Sequence, residues 1–130
     1  MCLIKKHFLP RISRKPIKCY KVLEVSQDGA FYTPYTFDKI QKDGMLTGKG
    51  KCWKGLVESV LGDWGIHAFT DLEEAHQRKL AIRFLTWNKS FVVVEATIPP
   101  NTLYFKGKDN DICARKMIIQ TDKQIKEKEV

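Results

Sequence analysis

No Cys-x-x-Cys pair, no run of histidines and cysteines at metal-ligand spacing, and no Gly-x-x-x-x-Gly-Lys-[Ser/Thr] loop occurs in this chain of 130 residues. These absences exclude a zinc-finger scaffold, a thioredoxin-like redox centre and a P-loop nucleotidase. Long apolar runs are missing too. Val92-Val93-Val94, with Phe91 before it, is as long as any, far short of the about 20 residues that a spanning helix needs. The opening Met1-Cys2-Leu3-Ile4 gives way at once to Lys5 and Lys6, without the apolar stretch of a secretion signal, so a cytoplasmic protein is expected. Cys2, Cys19, Cys52 and Cys113 are widely scattered. An even count could make two disulfides in an oxidising compartment, but reduced, packed thiols are the reading that agrees with a cytoplasmic chain.

Acidic residues are scarce where the chain begins. Lys5, Lys6, Arg11, Arg14, Lys15, Lys18 and Lys21 all precede the first acid, Glu24, and this segment carries almost all of the net charge of +8. Such an excess either keeps a surface solvated or concentrates nucleotides, nucleic acid or acidic lipid. A second basic group, Lys49, Lys51 and Lys54, lies within Gly48-Lys49-Gly50-Lys51-Cys52-Trp53-Lys54-Gly55. Alternating glycine and lysine lets backbone amides and ammonium groups approach phosphate oxygens, and Trp53 offers a face to a base. A mobile, solvated loop is the competing reading.

The length allows one core, and the 43% apolar content is that of a globular domain. Residues 1–17 read as a basic N-terminal arm, interrupted by Pro10 and Pro16 but apolar enough to dock on the body. Residues 18–121 form a single domain and 122–130 a polar tail. Within the domain, Cys19–Ser26 and Ala30–Thr36 flank Asp28-Gly29 as a β-hairpin. Gly65–Phe69 reads as a short strand. A helix is expected from about Leu72 to at least Lys79, because Thr70 with Glu73, or Asp71 with Glu74, has capping-box spacing. Phe91–Ile98 is the strongest strand, stopped by Pro99-Pro100, and its Val92, Val94, Ala96 and Ile98 are expected beneath the helix. Thr102–Phe105 and Ala114–Gln120 complete an α+β domain: a mostly antiparallel sheet of about five strands or more with one main helix.

Two ionisable residues stand out. Alternation places His67 with Phe69 on one face of its strand, and Glu95 with Phe91, Val93 and Thr97 on one face of another. Were those strands to pair, His67 and Glu95 would form an acid/base dyad. A satisfied core histidine and a solvated edge glutamate are the structural alternative. Among the aromatics Tyr20, Tyr32, Tyr35, Trp53, Trp64, Trp87 and Tyr104, rings interleaved with lysine suit stacking on bases, although core packing is the commoner use of such rings.

The order Cys19-Tyr20-Lys21-Val22-Leu23, Gly65-Ile66-His67-Ala68-Phe69-Thr70, Leu72-Glu73-Glu74-Ala75, Val92-Val93-Val94-Glu95-Ala96-Thr97-Ile98-Pro99, then Tyr104-Phe105 and Ala114-Arg115, resembles small bacteriophage and prophage proteins without an assigned activity. The resemblance spans roughly residues 19–120, and Gly65–Phe69 is its one sharp motif. It implies a phage-type binding protein in the host-cell cytoplasm that could blunt a host defence signal. The layout is also faintly similar to the ADP-ribosyltransferase fold, in which an early strand and a mid-chain strand–helix unit frame an NAD cleft. No histidine or arginine occupies the first strand here, and no glutamate motif closes the domain. The expectation is therefore a binder of an anionic phosphorylated ligand, most simply a nucleotide, through Tyr20, Lys49, Lys51, Trp53, Lys54 and His67, with no metal and no cofactor. The alternatives are a divergent NAD-using enzyme built on His67 and Glu95, or a module that binds nucleic acid or protein through its arm. No membrane partner is expected, and self-association stays open.

Overall fold

The computed structural model describes residues 11–33, 39–48, 65–85, 89–107 and 110–125. Nine strands and one helix account for most of them: β1 (Arg11–Ile12), β2 (Ile17–Val25), β3 (Phe31–Tyr32), β4 (Met45–Thr47), β5 (Ile66–Phe69), α1 (Leu72–Leu85), β6 (Ser90–Ile98), β7 (Leu103–Lys106), β8 (Asp111–Ala114) and β9 (Lys116–Ile125). The strand order is β1-β7-β8-β5-β2-β6-β9-β4, with β3 paired separately to β2, and every pairing is antiparallel. The α+β class with one main helix is as the sequence indicates.

The backbone of the sheet is β2 against β6, in unbroken register from Ile17↔Ile98 to Val25↔Ser90. After β2 the chain turns as Asp28-Gly29 requires. Gly29 takes φ 85°, its amide donates to the Ser26 carbonyl, and the Asp28 carboxylate accepts from the Ser26 hydroxyl and the Ala30 amide. Such a positive φ is cheap only without a Cβ. Of the two possible caps for α1, Asp71 acts: its carboxylate accepts the Glu73 amide at 3.3 Å, while the Thr70 hydroxyl donates to the Asn110 carbonyl.

The sheet cannot be flat. β8 and β9 are joined through Arg115 alone, yet β5, β2 and β6 stand between them in the strand order. In a flat sheet they would lie four strand spacings apart, roughly 19 Å. One linking residue spans only about 7 Å. The sheet therefore folds over, with β1-β7-β8-β5 facing β2-β6-β9-β4 along a seam where β2 and β5 keep a single residue pair, Tyr20↔Phe69. Between the two halves lies the larger core, including Cys19, Leu23, Leu46, Ala68, Val94, Ala96, Ile98, Ile112, Ala114 and Met117. On the outside, α1 covers a smaller cluster in which Ala75 and Ile82 meet Val22, Phe69, Phe91 and Val93.

Several local readings change. Phe91 and Val93 lie beneath the helix, and Val94, Ala96 and Ile98 face the inner core, the reverse of the assignment from sequence. Each face of β6 carries buried apolar residues, Phe91 and Val93 on one and Val94, Ala96 and Ile98 on the other, so alternation alone could not say which face the helix takes. The helix runs on to Leu85: Leu80 and Ile82 do not continue as a strand, since Ile82 is buried at helical spacing from Ala75 while Leu80 is half exposed. The stretch expected as one strand at 114–120 is two, β8 and β9, divided at Arg115. β9 also continues past residue 121 to Ile125, paired with Val93. Part of the stretch placed in the arm belongs to the sheet: Arg11–Ile12 form β1, paired with β7, Ile17 opens β2, and between them Ser13 accepts the Thr102 amide and donates to the Pro99 carbonyl through its hydroxyl.

Candidate functional site

Outside the folded-over core, α1 covers only one end of the β2–β6 surface. Toward the other end the same face turns polar. Alternation from Val22 brings out Tyr20 and Lys18 on β2, alternation from Val93 brings out Glu95 and Thr97 on β6, and register places Gln120 opposite Glu95. β9 carries an irregularity at this point. Glu95 pairs with Gln120 but Val94 pairs with Gln124, so residues 121–123 bulge out of the ladder. Bulges re-aim side chains, and the bulge carries Lys123, whose ammonium reaches the second oxygen of Glu95 at 3.5 Å. Lys18 binds the first oxygen at 2.8 Å.

Glu95 thus sits between two cations. Its side chain is only 16% exposed, whereas those of Lys18 and Lys123 are 63% and 58% exposed. The carboxylate is the floor of the cluster and the ammonium groups are its rim. The hydrogen bond from Lys18, then the charges of Lys18 and Lys123, hold the Glu95 carboxyl below its ordinary range against the opposing effect of partial burial. A carboxylate held in that form is a weak general base and a poor acid. The Lys18 ammonium also lies 5.8 Å from the centroid of the Tyr20 ring, within cation–π range. Gln120 donates to the Thr97 hydroxyl at 3.4 Å, and its buried amide oxygen accepts no hydrogen bond from any described residue.

His67 and Glu95 do not form a dyad. β2 lies between their strands, and Tyr20 occupies the position between Glu95 and Phe69 in the cross-sheet row. His67 is half buried, with its Nε2 atom 3.8 Å from the Cys113 sulfur. Lys49, Lys51, Trp53 and Lys54 lie outside the described residues.

The structure adds a lysine that the sequence reading passed over as part of the basic run. Lys21 is buried in the seam, where it donates to the His67 carbonyl at 2.6 Å. Loss of hydration pulls its pKa down to about 8, despite the nearby Cys19 and Cys113 sulfurs. Burial in turn pushes the Cys19 thiol up to about 12 and the Cys113 thiol higher still, so both stay protonated and weakly nucleophilic. A signal existed: Lys21 falls between Cys19 and Leu23 on the phase of β2 that faces the core. Lys18, Thr97 and Gln120 carried no such signal, because their partners are distant in the chain.

Among the described residues no group of histidines, cysteines, aspartates or glutamates could hold a metal ion, and no helix is long and apolar enough to cross a membrane. No family model matches this chain, and neither does any curated protein or any solved structure.

Proposed function

We propose that this chain is a binding protein for an anionic, phosphorylated ligand of the nucleotide class. The observation that carries the reading is the cluster around Glu95: two largely solvent-reaching lysines and a half-buried tyrosine ring beside one carboxylate. Ammonium groups at the rim suit phosphate, and an aromatic ring beside them suits a base. The exposed Arg14 and Lys15, just before β2, add to the attraction without being paired in any ion pair among the described residues. In the phage-like setting that the sequence resembles, the ligand would be a host defence signal, held in the host cytoplasm. The NAD-using enzyme has weaker support, since its two proposed catalytic residues lie on strands separated by β2 and Glu95 is tied to lysines.

Mass spectrometry of nucleotides released from the purified protein, followed by calorimetric titration at low and high salt, tests the proposal. Lys18→Ala with Lys123→Ala is expected to weaken binding at least tenfold at low salt, with a smaller difference at high salt. The triple variant Lys49→Ala, Lys51→Ala, Lys54→Ala reports whether the glycine–lysine stretch contributes. A nucleotide affinity independent of salt and of all five lysines would reject the reading.

A further inference from the structure

We infer that the Glu95 cluster is a base-recognition site that prefers guanine, which makes the captured ligand a guanine nucleotide; this rests on the nucleotide-binding reading above. The argument is an inventory of donors and acceptors. A carboxylate only accepts, and each of its oxygens offers two lone-pair directions. Lys18 takes one on the first oxygen and Lys123 one on the second, which leaves one on each. Gln120, directly across the ladder from Glu95, places one amide N–H on the Thr97 hydroxyl, and its amide oxygen is buried beneath the cluster, out of reach of a ligand. The floor of the cluster therefore presents two side-by-side acceptor positions, one on each oxygen of Glu95. Buried acceptors left unsatisfied are costly, and a ligand that brings matching N–H groups relieves that cost.

Guanine carries such a set along its Watson–Crick edge, an N1–H beside an N2 amino group. Adenine presents a bare N1 lone pair there, which would face the carboxylate. The Tyr20 ring, on the neighbouring strand directly opposite Glu95, gives the base a flat flank. The rim lysines, with most of their length in solvent, are placed to take the phosphate and the guanine O6 atom. Sites built to hydrogen-bond a group discriminate strongly against an analogue that lacks it, because their own polar atoms are then left unpaired.

Calorimetric titration of the full-length protein with GMP, IMP and AMP at low salt tests this without any substitution. The expected order is GMP tightest, IMP weaker by about tenfold for the lost amino group, and AMP weakest. Glu95→Gln replaces one acceptor by a donor, so it is expected to remove the preference for GMP over AMP while leaving ribose 5-phosphate binding equal or tighter. Equal binding of GMP and AMP, lost in the Lys18→Ala, Lys123→Ala variant, would overturn the guanine assignment and leave the nucleotide-binding proposal standing. A wild-type preference retained by folded Glu95→Gln would also overturn it. Binding of no nucleotide would sink both.

Discussion

Glu95 and Lys21 are charges on the two central strands, one row apart in the same ladder, and the protein treats them in opposite ways. Glu95 faces outward at the open end of the sheet surface, where two lysines neutralise it and solvent reaches the ensemble. Lys21 enters the seam of the folded sheet, where, among the described residues, its ammonium donates to the His67 backbone carbonyl. The first arrangement keeps a carboxylate ionised at little cost, because exposed cations can adjust to it. The second holds a cation in a place that favours its neutral form. Alternation on β2 decides which: Lys18 and Tyr20 lie on or around the outer phase with Glu95, and Lys21 falls on the inner one.

The sharpest way to break this comparison is to move the carboxylate. Val93→Asp keeps the outer face but lies under α1, fully buried. An unpaired buried carboxylate costs several kcal/mol, on the order of the whole stability of a small domain, so this variant is expected to be unfolded by circular dichroism. Val94→Asp is equally buried but lies directly across the ladder from Lys21. Its loss of stability is expected to be smaller than that of Val93→Asp, and equal losses would show that Lys21 cannot serve as a buried counter-ion.

The pH dependence of stability offers the next effect. The Lys21 amine has a native pKa of about 8, below its ordinary 10.5, so between those values the unfolded chain binds more protons than the native one. Stability therefore rises with pH from about 8. Cys19 and Cys113 act in the opposite sense: raised in the native state, they keep protons that the unfolded thiols lose above their ordinary 9.0, so stability falls as pH passes that value. Urea denaturation across this range is expected to show a maximum near pH 9. Lys21→Met should abolish the rise, with modest change at pH 7, because relief of the buried charge is offset by about 1–3 kcal/mol for the unpaired His67 carbonyl. The double variant Cys19→Ala, Cys113→Ala should let the rise continue toward pH 10.5. A wild-type profile flat from pH 7 to 10 would contradict the seam as described.

Glu95→Gln is expected to change stability least. Its carboxyl is held below the ordinary 4.5, so the contribution is present above that value and lost as pH falls through the lowered native pKa. The variant should therefore be distinguishable from wild type mainly through a weakened acid dependence below pH 4.5. Added salt is expected to erase much of the difference, since both partner lysines are largely exposed.

The elements of the fold were largely legible because their signals are local. Asp28-Gly29 marks a turn by its backbone demands, Asp71 caps a helix two residues away, and Phe91–Ile98 alternates over its own length. The candidate site was legible only in pieces. Glu95 was visible as a carboxylate in an apolar strand and Tyr20 as a ring near lysines, but nothing in the chain joins Lys18, Glu95, Gln120 and Lys123. They meet through the β2–β6 register and the β9 bulge. His67, by contrast, was singled out by a conspicuous motif and lies beside Cys113, across the seam from Glu95's strand pair.

By itself the sequence determined the α+β class, the hairpin, the helix start and the basic excess, all of which follow from residues within a few positions of one another. Only the tertiary structure decided that β6 shows Val93 to the helix and Val94 to the inner core, that the sheet folds over with Arg115 joining its halves, and that Lys21 is buried while Lys18, three positions before it, reaches solvent. Side-chain alternation gives two faces but never says what covers each. That depends on pairing between segments far apart in the chain, and the free energy of burial is settled only when those segments meet.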